Sequence, residues 1–253
     1  MPQIEIIEKG EKRIHSEIYR PKNYGFKGES KDSFPAVIMS HGYNSSCRDW
    51  LREGRFLAEH GYVVIAFDFC GGSSRSLSNG KSQDMTVTSE TEDLIDVFGY
   101  VSEMEEVDSN RIFLHGASMG GLVTALVAEK LKKKLAGVSL YFPAFCVSDD
   151  WTPRYDRPED ADDVIPFWGM NLGRGFVFDI HGRDLVSEVG RYDGKVLIIH
   201  GTDDEVVPVD YAKRVSKRYK NSELVILDGE GHGFSEEGTA FTSSKLLEFY
   251  ESI

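Results

Sequence analysis

Ser118 stands in Gly116-Ala117-Ser118-Met119-Gly120-Gly121, between a β-rich run at Arg111 to His115 and an Ala/Val/Leu-rich helical pattern. Strand, sharp turn and helix are the context in which a serine hydroxyl projects above a sheet edge, and the flanking glycines leave room for the backbones that crowd such a turn. Met119 would open the helix, so its N–H lacks an intrahelical acceptor and can face negative charge developing beside the serine. A serine hydroxyl becomes a useful nucleophile when an imidazole accepts its proton and a carboxylate orients that imidazole. The chemistry implied is acyl transfer. A serine that only caps a helix, with glycines serving close packing, is the competing reading, and it does not call for a strand in front.

The partners must lie further along the chain, because serine sites at strand–helix turns of this kind run in the order serine, acid, histidine. Of seven histidines, His181, His200 and His232 follow Ser118. His200 falls inside a buried-strand pattern and is expected to be a satisfied core residue. His232 sits in Gly229-Glu230-Gly231-His232-Gly233-Phe234, a glycine-rich loop after the last strand that can carry a side chain over the sheet's C-terminal edge. Asp203, Asp204 and Glu205 all qualify by position as the acid, since they follow the penultimate strand in His200-Gly201-Thr202-Asp203-Asp204-Glu205-Val206-Val207-Pro208. Asp228 is a rival close to His232, although an acid beside a turn more often makes a local bond to its own backbone. After the third strand comes Ser40-His41-Gly42-Tyr43-Asn44-Ser45-Ser46. Gly42 lets that backbone turn inward and makes the N–H of Tyr43 the candidate second oxyanion donor, while His-Gly also suits an ordinary tight turn.

Short β-rich runs alternating with longer helical patterns must position these groups, and that alternation marks an α/β fold: a mainly parallel eight-stranded sheet with helices on both faces. The strands are expected at Ile4 to Ile7, Arg13 to Tyr19, Ala36 to Met39, Tyr62 to Phe67, Arg111 to His115, Leu135 to Tyr141, Lys195 to His200 and Glu223 to Leu227. Helices are expected at about Asp49 to Glu59, Val87 to Met104, Ser118 to Leu131, Asp210 to Tyr219 and through Thr242 to Tyr250. Leu94, Val97, Phe98 and Val101 recur at helical spacing and should face the sheet. The segment from Pro143 to Tyr192, after the sixth strand, is too long for a normal connection and carries Phe145, Trp151, Tyr155, Phe167, Trp168, Phe176 and Phe178. An insert of this length in a compact domain is expected to be a lid or binding element, its rings divided between a small core of its own and a pocket. Residues 1–253 therefore read as one domain with a cap insertion at about 143–192.

Composition narrows the function. A formal net charge of −13 would repel nucleic acid and anionic lipid, and Lys132-Lys133-Lys134 sits at an expected helix end, where cations suit the macrodipole. Cys47, Cys70 and Cys146 are odd in number, widely spaced and without a CxxC pair, so neither disulfides nor a zinc site is expected. The glycine pairs lack phosphate-loop spacing, and no cofactor or metal is expected. The opening Met-Pro-Gln-Ile-Glu-Ile-Ile-Glu-Lys has no apolar core of signal-peptide length, and no run of about 18 apolar residues occurs. A cytoplasmic protein acting on a small molecule, with no membrane or nucleic-acid partner, is the expectation.

Taken together the motifs resemble the small bacterial feruloyl or cinnamoyl esterases of the α/β-hydrolase superfamily. The resemblance runs nearly end to end through Met39 to Ser46 (MSHGYNSS), Phe67 to Ser73 (FDFCGGS), Met85 to Leu94 (MTVTSETEDL), Gly116 to Gly121 (GASMGG), His200 to Pro208 (HGTDDEVVP) and Asp228 to Ser235 (DGEGHGFS). It implies a carboxylic-ester hydrolase working through an acyl-enzyme, with Ser118 and His232 as nucleophile and base. The acid lies three residues after the glycine of the penultimate-strand motif, which is Asp204, and the oxyanion donors are the amides of Tyr43 and Met119. The resemblance also implies a cap in which an Asp, a Gln and a Tyr meet a phenolic hydroxyl. Asp150 stands about where the Asp would be, and Trp151, Phe167 and Trp168 are candidate pocket rings, but Pro143 to Tyr192 holds no glutamine. Ala117 and Met119 replace the family's His and Gln around the serine. A serine peptidase or monoacylglycerol lipase on the same fold, and a catalytically silent binding protein, are the alternatives.

Overall fold

The structure is a computed structural model and describes residues 2–22 and 33–253. The chain runs through β1 (Gln3–Lys9), β2 (Lys12–Tyr19), β3 (Phe34–Ser40), α1 (Leu51–Glu59), β4 (Val63–Phe67), α2 (Val87–Ser102), β5 (Val107–Ala117), α3 (Met119–Leu131) and β6 (Gly137–Tyr141). It continues through α4 (Val147–Trp151), β7 (Val164–Phe167), β8 (Met170–Gly173), α5 (Arg174–Ile180), β9 (Lys195–Gly201), α6 (Val209–Ser216), β10 (Ser222–Leu227) and α7 (Glu236–Glu251). Eight strands form one sheet in the order β1-β2-β4-β3-β5-β6-β9-β10. β2 is antiparallel to β1 and β4, and every later pairing in that sheet is parallel.

The central strands are buried along their length, as β4 (Val-Val-Ile-Ala-Phe) and β6 are, because helices cover both faces. α2, α3 and α6 share one core with the strands, and α1 and α7 share the other. Leu94, Val97, Phe98 and Val101 of α2 are all buried. α2 starts at Val87 because Thr86 and Ser89 exchange hydrogen bonds, Ser89 N–H donating to Thr86 Oγ1 at 2.9 Å and Thr86 N–H to Ser89 Oγ at 2.8 Å. A single N-cap bond sets the start of α7 at Glu236, earlier than Thr242, since Ser235 Oγ accepts from Gly238 N–H at 3.1 Å.

Parallel pairing brings the strand ends together. Ser40 lies opposite Gly116, Gly116 opposite Leu140 and Leu227 opposite Gly201, so β3, β5, β6, β9 and β10 all end at one edge. The segment between β6 and β9 is no bare loop: it holds α4, the antiparallel β7–β8 hairpin and α5. Ser148 Oγ donates to Ile180 O at 2.7 Å and joins α4 to α5, while Thr88 donates twice to Asp179 and joins α5 to α2. Glu129 of α3 accepts from the N–H groups of Gly190, Arg191 and Tyr192 and so anchors the segment's return.

Candidate active site

Tyr43, Ser118, Asp204 and His232 each lie within a few residues after a parallel strand stops. β5 ends at Ala117, and Ser118 turns the chain into α3 with φ 55° and ψ −120°. A side chain in that region is strained by about 1–3 kcal/mol and persists only where its surroundings over-determine it. Here they do: Ser118 N–H donates to Tyr141 O at 2.9 Å, and Ser118 O accepts from Ala144 N–H at 2.9 Å. The glycines of the motif are steric requirements. A Cβ on Gly120 would lie 2.3 Å from His41 O, and one on Gly116 would lie 2.3 Å from Gly120 O.

His232, on the loop after β10, places Nε2 3.1 Å from Ser118 Oγ and Nδ1 2.8 Å from Asp204 Oδ2. The side chain of Asp204 is wholly buried. Its Oδ1 accepts from the N–H groups of Val206 at 2.9 Å and Val207 at 2.8 Å. Burial alone would raise its pKa, but the hydrogen bonds from His200, His232 and Val207 outweigh that and hold the carboxyl well below the usual carboxylate range. Asp204 is thus an anion fixed by four donors. By contrast, Asp203, Glu205 and Asp228 are exposed, and Asp203 Oδ1 accepts from Thr202 Oγ1 at 2.8 Å.

His200 is a buried, hydrogen-bonded core residue, as its strand pattern suggests, and it also reaches Asp204. Its Nε2 is 2.9 Å from Val207 O and 3.2 Å from Asp204 Oδ2, and its Nδ1 makes no hydrogen bond. Since Nε2 faces two acceptors, it carries the proton and donates to both. His200 is the penultimate residue of β9, four residues before Asp204, which is visible in the sequence, but a strand pattern says nothing about the direction of a ring.

His41 is a second histidine that the sequence pattern does not single out. Its Nδ1 donates to Gly42 O at 2.7 Å and its Nε2 accepts from Phe69 N–H at 3.1 Å, and burial lowers its pKa, in keeping with a neutral ring. Gly42 O belongs to the same peptide as the N–H of Tyr43, so His41 fixes the direction of that N–H. Among the described residues neither Tyr43 N–H nor Met119 N–H, the latter opening α3, has a hydrogen-bond acceptor. Both residues border Ser118, and a Cβ on Gly42 would approach Ser118 Cβ to 3.1 Å.

Two cavities meet at Ser118. One, of about 290 Å³, lies under the β6–β9 segment and is lined by Tyr43, Met119, Asp150, Trp151, Phe167 and Trp168 among others. Trp151 is buried edge-on against Phe167 and Phe176, Asp150 is exposed, and Trp168, 62% exposed, stacks on Phe167 at 5.0 Å. Arg154, whose guanidinium lies 4.5 Å from the Trp151 ring centre, supplies a cation that no motif in the sequence marks. Tyr43 Oη donates to Phe167 O at 2.8 Å and Asn44 Nδ2 to Trp168 O at 3.0 Å, so the loop after β3 is tied to the β7–β8 hairpin. The other cavity, of about 410 Å³, opens on the side of His232 between α1 and the loop before α7.

Away from this edge, His15, Glu17 and Cys47 bring possible ligand atoms within 4.8 Å of one another. Glu17 already accepts from Tyr19 Oη at 2.8 Å, and burial pushes the Cys47 thiol up, against the thiolate a metal requires. No described helix is long and apolar enough to cross a membrane.

A mainly parallel eight-stranded sheet covered on both faces, with a serine at the strand–helix turn after β5, defines an α/β-hydrolase fold. The chain belongs to the prolyl oligopeptidase family (Peptidase_S9), whose sequence profile matches residues 52–252. In structure it is similar to Est1E from Butyrivibrio proteoclasticus with ferulic acid bound, at TM-score 0.86 and 23% identity, covering 98% of each chain. In sequence it is similar to a non-heme chloroperoxidase of Streptomyces lividans, 26% identical over 88% of this chain and 93% of that one. It is also 23% identical to a bifunctional esterase/perhydrolase, DCH, of Acinetobacter calcoaceticus over 86% of this chain and 92% of that one. The protein is a hydrolase of the α/β-hydrolase fold.

Proposed function

We propose that the protein is a serine carboxylesterase that works through an acyl-enzyme, with Ser118 as nucleophile, His232 as general base and then acid, and Asp204 as the residue that orients His232. The observation that carries this reading is the unbroken chain from Asp204 through His232 to a serine held at positive φ where two cavities meet. In the reaction, Nδ1–H of His232 donates to Asp204, which leaves Nε2 free to take the Ser118 proton as Oγ attacks the ester carbonyl. The carbonyl oxygen turns anionic beside the N–H groups of Tyr43 and Met119, donors already oriented and therefore effective. His232 then returns the proton to the departing alcohol, and water repeats the sequence to free the acid.

The β6–β9 segment, residues 143–192, acts in this reading as a cap of one hydrolase domain, and its 290 Å³ cavity takes an aromatic or hydrophobic acyl group against Trp151, Phe167 and Trp168. The free thiols of Cys47, Cys70 and Cys146 suit a reducing, cytoplasmic setting. A panel of p-nitrophenyl esters and hydroxycinnamate methyl esters tests the proposal. A burst of p-nitrophenol equal to the enzyme concentration is expected, and an absence of turnover on every ester would remove it. Membership of a family named for a peptidase favours a second reading, amide hydrolysis by the same residues. Matched p-nitroanilides and p-nitrophenyl esters separate the two, and comparable efficiency on both would favour the peptidase.

A further inference from the structure

The larger cavity is not accounted for by acyl binding. On the esterase reading, the atom that leaves must receive its proton from His232 Nε2, so the leaving group extends toward the cavity that His232 lines. That cavity is the 410 Å³ one, bordered by His232, Gly233 and Phe234, whereas Met119, Ala144 and the rings of the cap border the other. The alcohol side of the substrate therefore meets the residues contributed by α1 and the turn before it.

Glu53 of α1 is one of those residues and is only 7% exposed. Among the described residues it has no ion-pair or hydrogen-bonding partner side chain; its own backbone N–H, the charge of the exposed neighbour Arg52 and the Tyr141 phenol are the polar groups that act on it. Burial pushes its carboxyl up from the ordinary value. The other acid of the cavity, Asp49, is engaged by Arg75 at 2.7 Å and by Ser46 N–H at 3.1 Å. No Lys or Arg is among the lining residues, while Trp50, Tyr141, Phe142 and Phe234 contribute aromatic rings. A buried carboxyl without a partner side chain is costly unless a ligand supplies the missing charge. A carboxyl framed by aromatic faces, in a cavity whose lining holds no Lys or Arg, is the chemistry that recognises an ammonium group.

We propose that this cavity is the leaving-group subsite and that Glu53, with the rings around it, selects esters whose alcohol carries a protonated or quaternary amine. A leaving group bearing a carboxylate or phosphate is disfavoured there by like charge. The inference rests on the serine-esterase reading and adds the substrate class.

The test compares the choline and 3,3-dimethylbutyl esters of 3-phenylpropionic acid, which differ only in a quaternary nitrogen against a quaternary carbon. The wild-type kcat/KM should favour the choline ester by about tenfold or more, and the preference should decline as pH falls and Glu53 takes up a proton. Glu53→Gln should bring the ratio toward one, and Glu53→Asp should give a value between. Phenyltrimethylammonium should inhibit wild-type hydrolysis of a p-nitrophenyl ester competitively, a measurement that needs no variant to fold. Equal efficiency on the two esters, a ratio unchanged in Glu53→Gln, or no inhibition by the cation would each overturn the proposal while leaving the esterase reading intact. Failure of the wild type to hydrolyse any ester would instead overturn the esterase reading.

Discussion

Replacing Asp204 by Asn changes one oxygen to an NH2 group, and the structure dictates where that group must go. Oδ1 accepts from two backbone N–H groups at 2.9 and 2.8 Å, so an NH2 placed there would set donor against donor twice, with no tautomer to relieve it. The amide therefore turns its NH2 toward the imidazoles at the Oδ2 position, 2.8 Å from His232 Nδ1. His232 can meet it only by accepting at Nδ1, which moves its proton to Nε2. The proton then points at Ser118 Oγ, 3.1 Å away, and the ring can no longer take the serine's own. A wrong tautomer with geometry kept costs about 10⁴ in kcat, or about 5.5 kcal/mol of transition-state stabilisation, with KM little changed. Asp203→Asn and Asp228→Asn, both exposed, should stay within about twofold of wild type. Steady-state kinetics on p-nitrophenyl acetate measures the rates, and ¹⁵N chemical shifts of the His232 ring report the tautomer. Retention of more than about a tenth of wild-type kcat by Asp204→Asn, or equal damage from Asp228→Asn, would refute the reasoning.

Three further outcomes are expected. Because the folded-state pKa of Asp204 is depressed, its contribution to stability is present above the unfolded value of about 4 and is lost as pH falls below it. The stability gap between wild type and Asp204→Asn, measured by urea unfolding, should therefore narrow below about pH 4, and a gap constant down to about pH 2 would count against this. Gly120→Ala puts a methyl 2.3 Å from His41 O and should lower stability by about 1–3 kcal/mol or more while disturbing the turn at Ser118, whereas an unchanged urea midpoint would contradict the packing. With no glutamine in the cap, methyl cinnamate and methyl p-coumarate should have kcat/KM values within about tenfold of each other, and a preference of about a hundredfold for p-coumarate would reveal a specific hydroxyl anchor such as Asp150 or Arg154.

The central strands of the main sheet were legible because helices bury them on both faces, which writes them as short, nearly continuous apolar runs such as Val63 to Phe67, while the edge strands β1 and β10 are largely exposed or half-buried. Ser118 and His232 could be proposed because each stands after a strand end beside a glycine, a signal local in sequence, whereas that signal left Asp203, Asp204, Glu205 and Asp228 open as the acid and Asp204 came from the family resemblance. Helix bounds drifted where a cap decides them, as at Ser235 before α7. The elements between β6 and β9 were illegible for another reason. α4, β7, β8 and α5 are four to seven residues long, too short for periodicity, and are held by contacts such as Ser148 to Ile180 and Tyr43 to Phe167 that no local pattern encodes. The roles of His41 and His200 were hidden likewise, since each depends on which way a buried ring turns.

The central claim, that Ser118 carries the acyl group, is tested most directly by trapping that intermediate. Intact-mass spectrometry of the protein quenched during turnover of a slow p-nitrophenyl ester, followed by peptide mapping, should show one acyl group per chain on the peptide containing Ser118. In Ser118→Ala the adduct should vanish and kcat should fall by about 10³-fold or more with the fold retained. An adduct on any other residue, or a Ser118→Ala variant that keeps more than about a tenth of wild-type turnover, would contradict the account.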